Sequence, residues 1–204
     1  MSVAVLISGR GSNLQALLDA GLPITTVISN EAEAKGLETA AARGVATRIV
    51  EHRRFSSREA FDAALAGEID RAAPQLIALA GFMRVLTPGF VARYKERLLN
   101  IHPSLLPAFP GLRTHERVLA AGAKVHGCSV HFVTAELDHG PIVIQAAVPV
   151  RSQDTAETLA ARVLRQEHVI YPRAVRWFLE DRLVIEANRV RVKGNDAQLV
   201  FAAD

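Results

Sequence analysis

The chain has 204 residues, of which half are hydrophobic and 22% are charged, a balance typical of folded globular proteins that excludes a disordered chain. Its formal net charge of +3, with Arg and Lys dispersed, is weak evidence for nucleic-acid binding and suits a phosphorylated small molecule equally well. A single cysteine, Cys128, excludes an intrachain disulfide and a cysteine-based metal site. This use of cysteine makes the cytoplasm the expected compartment, and no apolar run reaches the length of a membrane span.

The first half of the chain alternates predicted strands with predicted helices. Strands are predicted at Val3 to Ile7, Ile24 to Ser29, Thr47 to Val50, Gln75 to Ala80 and Leu98 to Ile101. Helices are predicted from Ser12 or Asn13 to Gly21, from Glu31 to Arg43, and from a Ser56 and Glu59 capping box to about Ala72. This alternation predicts a parallel α/β sheet whose ligands gather beyond the carboxyl ends of the strands.

The second half begins with two long β-rich runs. Val125 to Val133 and Ile142 to Val150 are joined by a loop too short for a crossover helix, so they are predicted to pair antiparallel. Thr155 to Leu179 has apolar residues at helical spacing, and Pro172 is expected to bend that helix.

The tail is predicted to form a terminal hairpin, at about residues 183–204. Its two strands are Leu183 to Val192 and Gln198 to Phe201. Because no linker marks a second domain, residues 1–204 are predicted to form one Rossmann-like α/β domain. Its twisted sheet is expected to be mostly parallel, with helices on both faces and antiparallel strands in the C-terminal half.

The turn after the first strand is rich in glycine. Ser8-Gly9-Arg10-Gly11-Ser12-Asn13 joins a strand to a helix, so its backbone N–H groups can hold an anion such as a phosphate. The segment lacks the third glycine of the dinucleotide fingerprint and the Gly-Lys-Ser/Thr ending of a P-loop, which disfavours NAD and ATP. A tight turn that merely needs glycine is an equal alternative.

Two polar side chains follow the fifth predicted strand. Asn100 and His102 are two residues apart in an extended segment, so we expect them to face one ligand. Glu136 and Asp138 lie in the loop between the two long strands, where a carboxylate can come beside His102. Taken singly, such residues more often serve as structural hydrogen-bonding groups or as part of a solvated turn.

The longer motifs resemble those of a known family. The strings ISGRGSNLQ, LAGFMRVLTPGF, LLNIHPSLLPAFPG, HGCSVHFVTAELDHGPI and RQEHVIYP, in this order, are similar to the folate-dependent formyltransferases, from Val3 to about Phe178. NIHPSLLP with a downstream LDxGP loop is specific to that class. GxGSNLQ and the chain length resemble the members that act on glycinamide ribonucleotide in purine synthesis. The resemblance implies formyl transfer from 10-formyltetrahydrofolate to the amine of that ribonucleotide, without a metal.

The resemblance also implies which residues are catalytic. The Asn and His of NIHPS and the Asp of the LDxG loop fall on Asn100, His102 and Asp138. Asn100 and a protonated His102 would donate hydrogen bonds to the negative oxygen of the tetrahedral intermediate. Asp138 would favour the imidazolium and position a water that relays the amine proton. Cys128 is interpreted as a small buried residue rather than a nucleophile.

Further residues are assigned to the two substrates by the same resemblance. Those implied for the ribonucleotide are Gly11, Ser12, Asn13 and Glu167. Those implied for the folate are Arg58, Met83, Arg84, Val85, Leu86, Asn100, Thr134, Ala135, Glu136, Leu137 and Asp138. The alternative for Glu167 is an exposed helix position without a role in binding.

Three other functions stay open. A formyltransferase that acts on methionyl-tRNA shares the central motif but resembles a longer chain, and a 10-formyltetrahydrofolate hydrolase usually carries an N-terminal regulatory domain. The glycine turn alone also permits a nucleotide-binding module without catalysis. For the favoured function we expect two small-molecule substrates, no nucleic-acid or membrane partner, and allow a homodimer.

Overall fold

The computed structural model describes residues 1–202, which divide into two compact units. The first unit spans Met1–Asn100, and the second begins at Ile101. The boundary falls within strand β5, Leu98–His102, so the strand that carries Asn100 and His102 belongs to both units.

The first unit alternates strands and helices. Its other strands are β1 (Val3–Ile7), β2 (Ile24–Ser29), β3 (Ala46–Ile49) and β4 (Leu76–Leu79). Its helices are α1 (Ser12–Asp19), α2 (Lys35–Ala42), α3 (Arg58–Ala72) and α4 (Pro88–Arg93), with a 3-10 turn at His52–Arg54. The strands lie in the order β5-β4-β1-β2-β3, and every pair in this row is parallel. Val3–Ile7 is completely buried in the middle of the row, which explains its unbroken apolar sequence.

The second unit contains the antiparallel strands and the longest helix. Its elements after β5 are α5 (Thr114–Ala120), β6 (Val125–Phe132), β7 (Ile142–Pro149), α6 (Ala156–Leu179), β8 (Leu183–Glu186), β9 (Arg189–Val192) and β10 (Leu199–Phe201). β6 and β7 pair antiparallel, as predicted, and α6 packs against both of them. Helix α6 begins with a reciprocal capping box between Thr155 and Thr158 and runs without interruption through Pro172.

The main sheet has eight strands in the order β10-β7-β6-β5-β4-β1-β2-β3. The predicted fold class, a mostly parallel α/β sheet with antiparallel strands in the C-terminal half, is confirmed.

Helix α1 starts at Ser12, as predicted, but two predicted helix caps and one predicted helix start are wrong. Helix α1 is capped by Gly11 in the left-handed region (φ 77°), not by Ser12 or Asn13, which are its first two helical residues. Helix α2 begins at Lys35 rather than Glu31, because Glu31 exchanges two hydrogen bonds with the Ser29 hydroxyl, at 2.7 and 3.0 Å, and forms a turn.

The second wrong cap belongs to α3. Its cap is Ser57, whose hydroxyl accepts a hydrogen bond from the Ala60 N–H at 3.1 Å, and not Ser56. Two short helices, α4 and α5, were not predicted. With six and seven residues they are too short to show a clear helical period in the sequence.

The tail differs from the predicted terminal hairpin. β8 and β9 pair with each other, whereas β10 pairs parallel with β7, with Leu199 opposite Gln145. The Gln145 N–H donates to the Gln198 carbonyl at 2.9 Å and fixes this register. The last described strand therefore extends the main sheet.

Candidate active site

Strand β5 positions the predicted pair Asn100 and His102. Both side chains belong to one extended strand and are two residues apart, so they project to the same side of it. Asn100 is half-buried and His102 is buried. The chain then leaves the sheet as a loop, residues 103–113, before α5 begins at Thr114.

Asp138 lies beside His102, as expected. Its Oδ2 atom is 3.5 Å from His102 Nδ1 and accepts a hydrogen bond of 2.8 Å from the Gly111 N–H. Both side chains of the pair are only 8% exposed, so little water screens the attraction between carboxylate and imidazolium. Asp138 has a left-handed backbone (φ 54°), a strained conformation for a residue other than glycine that is often found at functional sites.

Both ring nitrogens of His102 face acceptors. Nδ1 faces the Asp138 carboxylate, and Nε2 is 3.2 Å from the Phe109 carbonyl oxygen. Only the imidazolium can donate from both nitrogens at once, so this arrangement suits the charged ring.

A second histidine, His131, faces the same carboxylate and was not predicted. Its Nε2 atom is 3.8 Å from Asp138 Oδ1, and Nδ1 is 2.9 Å from the Phe132 carbonyl oxygen. Burial lowers the pKa of His131 and favours the neutral ring. A polar residue within the buried strand β6 was the available signal in the sequence.

The rest of the loop between β6 and β7 is open to solvent. Thr134, Ala135, Glu136 and Leu137 are exposed, and the Thr134 hydroxyl donates to the Glu136 carbonyl at 3.1 Å. Gly140 ends the loop against β6, where an added Cβ would lie 1.7 Å from the Phe132 carbonyl oxygen. Only glycine fits at this point, so the loop is anchored tightly just after Asp138.

In the first unit, the glycine turn packs closely against the start of α2. A Cβ at Gly11 would lie 2.7 Å from Gly36 Cα, and the Gly36 N–H donates to the Gly9 carbonyl at 3.1 Å. Glycine at position 11 is thus required by packing and by its positive φ, independently of any ligand. Ser12 and Asn13 begin α1, where backbone N–H groups face outward from the helix.

The segment predicted to bind folate in this unit is tied to the glycine turn. The Ser8 hydroxyl accepts a hydrogen bond from the Met83 N–H at 2.7 Å and donates to Asn30 Oδ1 at 2.5 Å. Met83 and Val85 are exposed although apolar, and Leu86 is buried. Ser8 was not predicted as a site residue, although it lies in the quoted motif.

The other two residues of the first unit that were predicted to bind folate are arginines. Arg84 is half-buried, and Arg58 is exposed at the first position of α3.

Glu167 is a buried residue of α6, with 8% exposure, so the alternative of an exposed helix position is wrong. Burial, together with the Glu167 carboxylate, raises the pKa of the Cys128 thiol. Cys128 is completely buried, which confirms its interpretation as a small core residue.

Neither a metal cluster nor a membrane-spanning helix is found in residues 1–202. No three His, Cys, Asp or Glu side chains of these residues are grouped to hold a metal ion. No helix among them is both long and apolar enough to cross a membrane.

The chain is similar in sequence and in structure to known formyltransferases. Residues 1–175 match the family model described as Formyl transferase. The phosphoribosylglycinamide formyltransferase of Escherichia coli (strain K12) is 50% identical over 95% of this chain and 94% of its own length. The crystal structure of glycinamide ribonucleotide transformylase 1 from Symbiobacterium toebii has a TM-score of 0.91 and 50% identity, over 94% of this chain and 93% of its own.

A formyltetrahydrofolate deformylase from Pseudomonas syringae pv. tomato is also similar, with a TM-score of 0.85 and 27% identity, over 94% of this chain and 65% of its own. A family match over most of the chain and 50% identity to a relative covered almost completely establish the relationship. The chain belongs to the formyl transferase family.

Proposed function

We propose that this chain transfers the formyl group of 10-formyltetrahydrofolate to the amine of glycinamide ribonucleotide, giving formylglycinamide ribonucleotide and tetrahydrofolate in purine synthesis. The observation that carries the proposal is the buried His102 and Asp138 pair, on the NIHPS and LDxG motifs. Identity is 50% with the transferase of Escherichia coli and 27% with the deformylase, which favours transfer over hydrolysis.

The proposed chemistry needs donors for a developing negative charge. The amine nitrogen forms a bond to the formyl carbon, and the carbonyl oxygen becomes an oxyanion until the bond from that carbon to the folate nitrogen breaks. The Asn100 amide and the His102 imidazolium donate hydrogen bonds to this oxygen. Asp138 holds the charged ring in place and positions a water that carries the amine proton towards the folate nitrogen.

The substrate residues remain part of the proposal. Gly11, Ser12 and Asn13 offer backbone N–H groups at the start of α1 to the phosphate of the ribonucleotide. Glu167 is proposed to bind the same substrate as a buried carboxylate. The residues proposed for the folate are Arg58, Met83, Arg84, Val85, Leu86, Asn100, Thr134, Ala135, Glu136, Leu137 and Asp138. The exposed apolar side chains of Met83 and Val85 support a contact with the flat folate ring.

The proposal extends to the domain organisation, the compartment and the partners of the chain. We propose that residues 1–204 act as one formyltransferase domain in the cytoplasm, on small molecules and without a nucleic-acid or membrane partner. We also propose a homodimer, whose presence light scattering of the purified chain would test.

The function is tested by comparing acceptors. Purified chain is incubated with 10-formyltetrahydrofolate and, in separate reactions, with glycinamide ribonucleotide, methionyl-tRNA or no acceptor, and the loss of the formyl group is followed. We expect fast turnover with the ribonucleotide only. Equal turnover without an acceptor would identify a hydrolase, and turnover that requires methionyl-tRNA would identify the other transferase.

A further inference from the structure

The loop that follows His102 is held by a buried hydrogen-bond cluster whose residues have no role in the site assigned above. We call it the Ser129 cluster: Ser129 of β6, Gln145 of β7, and the main chain of Ser104 and Leu106. The Ser129 hydroxyl donates to the Ser104 carbonyl at 2.7 Å and accepts from the Leu106 N–H at 3.0 Å. The Gln145 amide donates to Ser129 Oγ at 2.8 Å and to the Leu106 carbonyl at 2.9 Å.

The Ser129 hydroxyl and the Gln145 side-chain NH2 group use all of their hydrogen-bonding positions within the cluster. A serine hydroxyl has one donor and two acceptor positions, and Ser129 fills all three. A glutamine amide has two donors, and both are directed into the cluster. Ser104 and Ser129 are completely buried, so losing one partner would leave a polar group unsatisfied away from water.

The loop also approaches β6 closely. A Cβ at Gly127 would lie 2.9 Å from the Leu105 side chain and 1.9 Å from the Ala146 carbonyl oxygen, so the glycine leaves space that the loop occupies. The Ser104 hydroxyl donates to the Ala108 carbonyl at 2.7 Å, next to Phe109, whose carbonyl faces His102 Nε2. The cluster therefore holds the first part of a loop whose later residue Phe109 contacts the His102 ring.

We propose that Gln145 is a positioning residue for His102: its side-chain amide holds the loop whose main chain orients the imidazole. The inference rests on the proposed formyl transfer. The Gln145 side chain contacts the loop and Ser129, so it acts through other groups. Its own place is set by β10, because the Gln145 N–H donates to the Gln198 carbonyl. The tail of the chain thereby supports the loop that follows His102.

The chain offers a matched control for this proposal. The Gln198 amide likewise makes two hydrogen bonds to main-chain carbonyls, those of Val143 at 2.8 Å and Val190 at 2.9 Å. Neither carbonyl belongs to the loop, and both glutamines are half-buried. Gln145→Met and Gln198→Met remove two similar hydrogen bonds each while keeping side-chain length, so both should unfold at lower urea concentrations than the parent.

Of these two glutamine variants, only Gln145→Met should lower turnover. A misplacement of a reacting group by about 1 Å costs up to about 10²-fold in rate, so we expect kcat to fall roughly 10-fold to 10²-fold in Gln145→Met. KM for both substrates should change little. Gln198→Met should keep kcat within about twofold of the parent, because its amide does not touch the loop. Ser129→Ala should resemble Gln145→Met, and Ser129→Thr, which keeps the hydroxyl, should recover turnover.

The decisive readout combines kcat with the ring signals of His102 in NMR spectra of histidine-labelled full-length chain. These signals are assigned by their loss in His102→Asn. We expect them to move in Gln145→Met and to stay in place in Gln198→Met. If the parent transfers formyl but Gln145→Met keeps both its kcat and its His102 signals, the positioning role is overturned and the function stands. If the parent does not transfer formyl, the proposed function fails, and unmoved signals would overturn the positioning role separately.

Discussion

At the scale of single residues, we propose that His102 and Asp138 share one catalytic task. The carboxylate lies 3.5 Å from one ring nitrogen and is held by the Gly111 N–H, so it can hold the imidazole in one orientation. When two residues serve one step, removing the second lowers the rate little further once the first has been removed. Two residues that acted at separate steps would instead multiply their losses.

A double-mutant cycle tests this shared task. His102→Asn and Asp138→Asn should each lower kcat by roughly 10²-fold to 10⁴-fold, the usual range for a lost acid–base group. The double variant should be little slower than the poorer single variant. The measurement is kcat for all four proteins, with urea unfolding to confirm that each is folded. Strictly multiplicative losses would show that the pair does not act as a unit.

Ser12, the first residue of α1, allows a test of the proposed phosphate site that Gly11 does not. A side chain at Gly11 would collide with the Gly36 backbone, so its effects on folding and on binding could not be separated. Ser12→Glu places a negative charge at the helix start, where it favours the helix but repels a phosphate. We expect KM for the ribonucleotide to rise at least roughly fivefold, since one like charge nearby costs upwards of about 1 kcal/mol.

The neutral Ser12→Gln is the matched control, and KM for the folate should stay constant in both variants. Steady-state kinetics against each substrate gives the answer. An equal rise of both KM values in Ser12→Glu would place the phosphate elsewhere.

At the scale of elements, two histidines join α5 to β6. His115 Nδ1 lies 3.1 Å from His126 Nε2, so one neutral ring donates to the other. Burial lowers the pKa of His126 to about 4 and also lowers that of His115. The unfolded chain takes up these protons near pH 6.5, before the folded chain does. Stability is therefore complete above about pH 6.5 and declines as the pH falls towards 4.

The expected loss from His126 is up to about 3 kcal/mol in the free energy of unfolding between pH 6.5 and pH 4. His126→Gln should remove that part of the slope in urea titrations, while His131 and His168, whose pKa values are also lowered, keep theirs. His139→Gln, which removes an exposed imidazole, is the matched substitution at the surface. An unaltered slope in His126→Gln would contradict the role of burial.

Buried strands were easy to predict, whereas caps of helices and distant pairings were not. β1 matches its predicted bounds because it is an unbroken apolar run, and β2 matches because it is rich in β-branched residues. Ser56 and Ser57 are chemically identical neighbours, and only backbone geometry decides that Ser57 caps α3. The parallel pairing of β10 with β7 depends on contacts between segments more than 50 residues apart, which no local pattern records.

In the candidate site too, residues in sequence motifs were predicted, whereas residues that act through distant contacts were not. His102 and Asp138 were predicted through motifs, and the structure brings them together. Ser129 and Gln145 were missed because their roles appear only when two strands and a loop are adjacent. The available signal was chemical: polar residues recur along the otherwise buried strand β6 and beside the apolar residues of β7.

At the scale of the whole molecule, the fold alone does not decide the reaction. The transformylase of Symbiobacterium toebii and the deformylase of Pseudomonas syringae both share it, with TM-scores of 0.91 and 0.85. One fold thus carries proteins named for formyl transfer to an amine and for deformylation, so the function must be argued from the site. The residues proposed to bind the ribonucleotide therefore matter as much as His102 and Asp138.

The most direct test follows the formyl carbon itself. The full chain is incubated with 10-formyltetrahydrofolate labelled with ¹³C in the formyl group and with glycinamide ribonucleotide, and the products are analysed by mass spectrometry. We predict one labelled formyl group on the ribonucleotide for each tetrahydrofolate released, with no label in formate. Label that appears in formate, with the ribonucleotide unchanged, would contradict the proposed transfer.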